Sequence, residues 1–304
     1  MVVIAMATRN GAAWLGPQLA SIAAQDHRHW MLWVSDDGST DATRALVAGF
    51  AADHPDHAIR LLDGPGQGAA QNFLALATHP DIPATAYVAL CDQDDVWLAG
   101  KLSRGLAQLA GISGPAVYGA QSLHIGPDGR VVGRSRRPRR PVRLRNAVVQ
   151  NMVSGHSMIL NPAAVALARR AGRPTGIGFH DWWLGLLVIA VGGQVVVDPA
   201  TVLHYRQHAA NVIGAPVGLA AQIRRIRLLF GRDYAGWIAA NLAGLQAVDL
   251  TPEALAMITD LRSTLRPGPQ AGLARMQILR RWRIHRQTGF GTMLLYLAAL
   301  LGRV

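Results

Sequence analysis

The chain is short of cysteine, lysine and glutamate. Cys91, Lys101 and Glu253 are the sole residues of their kinds among 304. One thiol excludes an internal disulfide framework. Lys101 is followed by Leu102, so there is no Gly-Lys-Ser/Thr phosphate loop. The glycines of Gly64-Pro65-Gly66-Gln67-Gly68 lack the strand, tight turn, helix and later acid of a dinucleotide site. Clean apolar runs are also missing. The stretch 182–197 is broken by Gly192-Gly193-Gln194, and 293–301 is too short, against the roughly 18–20 residues that span a bilayer. No basic leader precedes Val2-Val3-Ile4-Ala5, so the expected setting is the cytoplasm.

What the chain has in excess is arginine. The formal net charge is +12, which favours anionic partners such as nucleotide phosphates, nucleic acid or an anionic membrane face. No acidic residue occurs between Asp128 and Asp181. Within that gap Arg134 to Arg145 carries seven arginines, and Pro138 and Pro141 make it a loop rather than a helix. It reads either as a solvated loop or as an anion-binding flap. From Asn211 onward, 12 Arg face three Asp and one Glu. An Arg-rich helical region of this kind suits an anionic membrane surface, packing on the preceding domain, or a homodimer. Nucleic acid is disfavoured as a partner. No recognised reading module is present, and clustered aspartates repel a phosphate backbone.

Short apolar runs alternate with helical periodicity through the first hundred residues. Strands are expected at 2–6, 30–34, 58–62 and 87–90. Helices are expected after Gly11, at 42–50 with Ser39 or Thr40 as cap, at 69–77 and at 101–109. Further on, strands are expected at 116–123, 195–197 and 201–205, with a turn at Pro127-Asp128-Gly129. Helices are expected at 162–169, 179–190, 215–247 and beyond Pro252. This alternation predicts an α/β fold with a mostly parallel central sheet, plus a C-terminal helical appendage. The division expected is a catalytic domain over 1–213 and a basic helical region over 214–304.

Ligands in such sheets sit outside the carboxyl ends of the strands. Three polar turns fall there: Thr8-Arg9-Asn10-Gly11, Ser35-Asp36-Asp37-Gly38-Ser39-Thr40-Asp41 and Cys91-Asp92-Gln93-Asp94-Asp95-Val96-Trp97. Three carboxylates within four residues repel one another unless a cation offsets them, and clustered oxygens suit Mg²⁺ or Mn²⁺. The competing reading is an acidic cap of the following helix, which survives best for Asp95. Asp181, the first carboxylate after the long acid-free gap, is a candidate general base or a helix cap. His156 reads as a packed or turn-stabilising histidine, and Trp182 and Trp183 as divided between core and acceptor stacking.

Together these turns resemble the inverting, nucleotide-sugar-dependent glycosyltransferases of family 2, which have the GT-A (nucleotide-diphospho-sugar transferase) fold. The likeness covers about 1–210. Ser154-Gly155-His156-Ser157, His180-Asp181-Trp182-Trp183 and Tyr205-Arg206-Gln207-His208 with Asn211 bring it nearest to bacterial rhamnosyltransferases of O-antigen, lipopolysaccharide and cell-wall polysaccharide assembly. The resemblance implies Mg²⁺ or Mn²⁺ and a dTDP-rhamnose or UDP-sugar donor. It implies a glycan or polyprenyl-diphosphate-linked acceptor; peripheral inner-membrane contact is an expectation of the Arg-rich C-terminal helices alone. The resemblance places Thr8 and Asn10 beside the nucleotide, Asp37 or Asp36 on the base, Gly68 and Asn72 on the nucleotide-side helix, and Asp92 near the ribose. Asp94 would hold the metal with His204 or His208, Arg206 would face the diphosphate, and Asp181 would be the catalytic base.

Overall fold

The computed structural model describes residues 1–208, 227, 229–264 and 271–303. The expected Asn211, the helical stretch as far as 226 and the expected boundary at 213–214 lie outside the described residues. The chain forms two compact units. The first takes in Met1–Arg137, Val153–Arg173 and Gln194–Gly214, and the second Pro138–Met152, Pro174–Gly193 and Ala215–Val304.

The first unit is built on a nine-stranded sheet. Its first half is β1 (Val2–Thr8), β2 (Trp30–Asp36), β3 (Ile59–Asp63) and β4 (Tyr87–Asp92), interleaved with α1 (Ala12–Ala23), α2 (Thr43–Asp53) and α3 (Ala69–Ala77). β5 (Val96–Trp97), α4 (Lys101–Leu109), β6 (Ala116–Ile125), β7 (Val131–Arg134), β8 (Ile159–Leu160), α6 (Pro162–Ala171) and β9 (Gln194–Arg206) complete it. In the sheet the order is β3-β2-β1-β4-β8-β6-β9-β5, with β7 paired to β6. β1, β2, β3 and β4 run parallel, as do β6 and β9; β8, β5 and β7 pair antiparallel with their neighbours. The fold class is therefore as expected: a mainly parallel, mixed sheet with helices.

β1 and β4 read as near-continuous apolar runs because both faces are covered. Val2, Val3, Ile4, Ala5, Met6, Val88, Ala89 and Leu90 have no exposed surface. Leu15, Leu19 and Ile22 of α1 join Leu32, Val34, Trp97, Leu102 and Tyr118 in the same core. α6 is capped by Asn161, whose side chain accepts from the Ala164 N–H, and opens with Pro162 in the first turn.

Three local expectations give way. α2 starts at Thr43 without a side-chain cap from its preceding residue. The Ser39 hydroxyl is engaged by Asp36, and the Asp41 carboxylate takes the Thr43 N–H and hydroxyl instead. Asp95 caps no helix. A two-residue strand follows it, and α4 begins only at Lys101, after Gly100. The strands expected at 195–197 and 201–205 are one strand, β9, that pairs with β6 across register shifts at Gly119/Gln121 and Gln121/Ser122.

The second unit holds α5 (Leu144–Ala147), α7 (His180–Ala190), α8 (Arg232–Gly244), α9 (Pro252–Ser263), α10 (Ala271–Arg281) and α11 (Gly289–Leu300). Trp182 and Trp183 are 4% and 0% exposed. The Trp182 indole donates to the Ala147 carbonyl at 2.6 Å and its ring stacks 6.0 Å from Tyr234. Both tryptophans are core, and neither offers a face to an acceptor. Tyr234 donates to the Val149 carbonyl, and Arg286 reaches the same carbonyl at 3.1 Å. Gln287 ties Arg140 at both its N–H and its carbonyl, at 2.7 and 3.2 Å, so the proline-containing basic loop is anchored there.

Candidate active site

The parallel register brings the strand ends level. Thr8 lies opposite Asp36, Asp36 opposite Asp63, and Asp92 opposite Ala7. The first two turns then lock together through side chains. The Thr8 hydroxyl donates to Asp36 at 3.0 Å, and the Ser39 N–H to the same carboxylate at 3.0 Å. Asn10, in the left-handed region at φ 47°, accepts from the Thr40 N–H at 2.8 Å, and its own N–H donates to Ser39 at 2.8 Å. Asp36 is 2% exposed; burial works to raise its pKa, but donors from Ser39, Thr8 and Arg44 prevail and hold it below the usual carboxylate range.

Asp37 organises the third side of this edge. Its N–H donates to the Thr8 carbonyl at 2.8 Å, and its carboxylate accepts from Gly66 at 2.6 Å and Gly68 at 3.0 Å. The loop needs its glycines. A Cβ on Gly64 would lie 2.7 Å from the Asp37 carboxylate and 2.9 Å from its Cα, and Gly68 takes φ 83° at the start of α3. Asn72, one turn into α3, donates to the Ser35 carbonyl at 2.9 Å; its own Oδ1 is buried without a hydrogen-bond partner among the described residues.

At the end of β4 the three aspartates diverge. The partly buried Asp92 remains in the strand. Gln93 clamps the turn to β1, accepting from the Arg9 N–H at 2.9 Å and donating to its carbonyl at 3.1 Å. Asp94 is met by His208 at 2.7 Å. It is His208, and not His204, that reaches Asp94; His204 sits within β9, opposite Val96. Asp95 has no exposed surface. One of its oxygens accepts from the Arg206 N–H at 3.3 Å and the other has no hydrogen-bond partner among the described residues. Arg206 also donates from Nε to the Asp94 carbonyl at 3.1 Å. Its guanidinium lies 4.7 Å from the centre of the Trp14 ring, and His208 stacks on the same ring at 5.7 Å.

Beneath the turn lies a buried layer. Side-chain ligand atoms of Asp92, Asp95 and His156 all fall within 4.8 Å of one another. His156, in the 3-10 turn Gly155–Ser157, stacks 4.5 Å from Tyr205 and leaves its Nε2 buried without a hydrogen-bond partner among the described residues. Burial pushes His156 down to about 3, with Lys101 and His124 adding to the effect, so at neutral pH the imidazole is neutral and able to ligate. Burial, then the charges of Asp92 and Asp94, drive the Asp95 carboxyl well above the usual carboxylate range. The fully buried Lys101 donates to the His156 carbonyl at 2.7 Å, with its ammonium 3.4 Å from the centre of the Trp97 ring. Burial pushes that ammonium down to about 7, against the pull of Cys91, Asp95 and Asp92. Two carboxylates and a neutral imidazole, with one Asp95 oxygen and the His156 Nε2 left without a hydrogen-bond partner among the described residues, fit a divalent cation.

Trp14, Gln93, Lys101 and His156 were not among the expected site residues. Trp14 passes for a core position on α1, and its one sequence signal is that it follows directly on the Thr8–Gly11 turn. Asp181 lies in the first turn of α7, in the second unit. Its carboxylate accepts from the Trp182 N–H at 2.8 Å, while the cap position is Phe179.

The chain belongs to glycosyl transferase family 2, whose pattern it matches over residues 3–169. It is an enzyme, a glycosyltransferase with a candidate metal site. It is 26% identical over 236 residues to the dTDP-rhamnosyl transferase RfbG of Shigella flexneri, covering 75% of this chain and 80% of that one. Over 110 residues it is 31% identical to the Escherichia coli UDP-Glc:alpha-D-GlcNAc-diphosphoundecaprenol beta-1,3-glucosyltransferase WfgD, covering 36% and 41%. Among solved structures, S. aureus TarS 1–349 with UDP superposes with TM-score 0.59 at 14% identity, over 100% of this chain and 89% of the other. The mannosyltransferase PcManGT from Pyrobaculum calidifontis, in complex with GDP-Man and Mn2+, gives 0.54 at 22%, over 99% and 86%. These superpositions speak to the fold.

Proposed function

We propose that the enzyme transfers a sugar, L-rhamnose from dTDP-L-rhamnose, to a growing polysaccharide or lipid-linked glycan, with inversion and with a divalent metal. The observation that carries the reaction class is the Asp92, Asp95 and His156 cluster at the end of β4, beside the linked Thr8 and Asp36 strand-end turns, in a family 2 chain. The donor is supported by the similarity to a dTDP-rhamnosyl transferase over three quarters of the chain.

In this reading Asp37 and Asp36 hold the nucleoside end. Each is already fixed by protein donors, and a carboxylate has lone pairs to spare for a base. Thr8, Asn10, Gly68 and Asn72 shape the wall beside it, and Asp92 approaches the ribose. Asp94 with His208 is one ligand set for Mg²⁺ or Mn²⁺, and Asp92, Asp95 and His156 are the buried alternative. When bound, the metal neutralises the departing diphosphate. Arg206, held over the Trp14 ring, adds a second positive charge on that side. Asp181 takes the proton from the attacking acceptor hydroxyl. A single displacement on a β-linked donor then gives an α-rhamnoside.

The partial likeness to a UDP-glucose-dependent enzyme acting on a diphosphoundecaprenol-linked sugar supports a second reading, a UDP-hexose or UDP-N-acetylhexosamine donor with a polyprenyl-diphosphate-linked acceptor. Transfer assays with dTDP-rhamnose and UDP-sugars separate the two. Loss of turnover in both Asp94→Asn and Asp181→Asn is expected; retained turnover in either sinks the assigned roles.

A further inference from the structure

α11 is buried on one side only. Leu295, Ala298 and Ala299 have no exposed surface, whereas Phe290, Met293, Leu297, Leu300 and Leu301 are 45–59% exposed. Their spacing of three, four, three and one places all five on a single helical face about 100° wide. An exposed row of this kind marks an interaction surface rather than scattered apolar residues. The row is rimmed by positive charge. Arg303 follows it by two residues, and a Cβ on Gly302 would lie 3.4 Å from the Arg275 guanidinium. No acidic residue occurs after Asp260, while eight arginines do.

We infer that this face of α11 seats on an anionic lipid surface, with the apolar row entering the headgroup boundary and the arginines at the phosphates. At 12 residues α11 is about 18 Å long, and no described helix is long and apolar enough to cross a membrane. The helix therefore lies in the interface plane. Charge decides against a second copy of the chain as occupant. A two-fold contact through this patch would bring Arg275 and Arg303 of one copy towards the same arginines of the other, with no acidic residue after Asp260 in the sequence to pair them. The inference does not depend on which donor the enzyme uses, or on Asp94 or Asp181.

The test is flotation of the full chain with vesicles of phosphatidylcholine alone and of phosphatidylcholine mixed with phosphatidylglycerol, over a salt series. Binding is expected with the mixed vesicles, falling as salt rises, and weaker by on the order of tenfold without phosphatidylglycerol. Leu297→Glu, at an exposed position that leaves folding intact, should cut binding by about tenfold or more. Arg303→Gln should cut it by about fivefold. Wild-type chain that stays unbound, or binding unchanged in Leu297→Glu, overturns the inference. So does a sedimentation result in which Leu297→Glu dissociates a dimer that ignores vesicles, because the face would then belong to a second copy.

Discussion

An aspartate with no exposed surface and one orphaned oxygen is costly unless something comes to meet it. Among the described residues Asp95 is such a residue, and the neighbouring Asp92 and Asp94 raise the cost. Asp198 solves the same problem within the protein. Arg104 and Tyr118 donate to its carboxylate, at 3.0 Å from Arg104 Nη2 and 2.9 Å from the Tyr118 hydroxyl, as does the Ala200 N–H. Burial alone would raise its pKa, but these donors hold it below the usual value. Its stabilisation is thus present above the unfolded-state value of 3.8 and lost as pH falls below that through the folded-state value. Asp198→Asn should cost on the order of 2 kcal/mol in urea unfolding at neutral pH and flatten the acid limb of the stability profile. Asp94→Asn should instead leave unfolding unchanged and reduce transfer by roughly 10²–10³-fold, read in a donor-turnover assay. At this scale the sequence was explicit about which acids cluster but silent on their separation. The fates of Asp94 and Asp95 depend on His208, Arg206 and His156, all more than 60 residues away along the chain.

Elements that follow an alternating strand and helix pattern were legible because burial on both faces writes itself into uninterrupted apolar runs. α3 and α4 have the limits their periodicity predicts, and the Pro127–Gly129 turn joins β6 to β7. β9 was not legible, because Asp198-Pro199-Ala200 reads as a break. The structure keeps the strand whole by making the irregularity a bulge in the β6 ladder, with Arg104 and Tyr118 holding its aspartate. Trp14 was hidden for a related reason. Helical periodicity marks it as core, while Arg206 and His208 use its face. Trp14→Ala should therefore raise the donor KM by about tenfold with little loss of stability. Gly68→Ala, at φ 83°, should destabilise by about 1–2 kcal/mol in chemical unfolding and weaken nucleotide binding together, since the Gly68 N–H is held by Asp37.

For the whole molecule, family membership rests on residues 3–169, the half that carries the three polar strand-end turns. The second unit supplies Asp181, the tryptophan core and the exposed face of α11. Its composition advertised a basic helical region but not its grouping, since the segments 138–152 and 174–193 join the C-terminal helices only through long-range packing. On the proposed function, the acidic turn binds a nucleoside diphosphate through a divalent metal. Calorimetric titration of dTDP, UDP and GDP into the wild-type enzyme and Asp94→Asn, each in Mn²⁺ and again in chelator, tests this. Mn²⁺-dependent binding is expected, tightest for dTDP, and lost in chelator and in Asp94→Asn. Binding of equal strength without metal, or undiminished in Asp94→Asn, would contradict the proposed role of the turn.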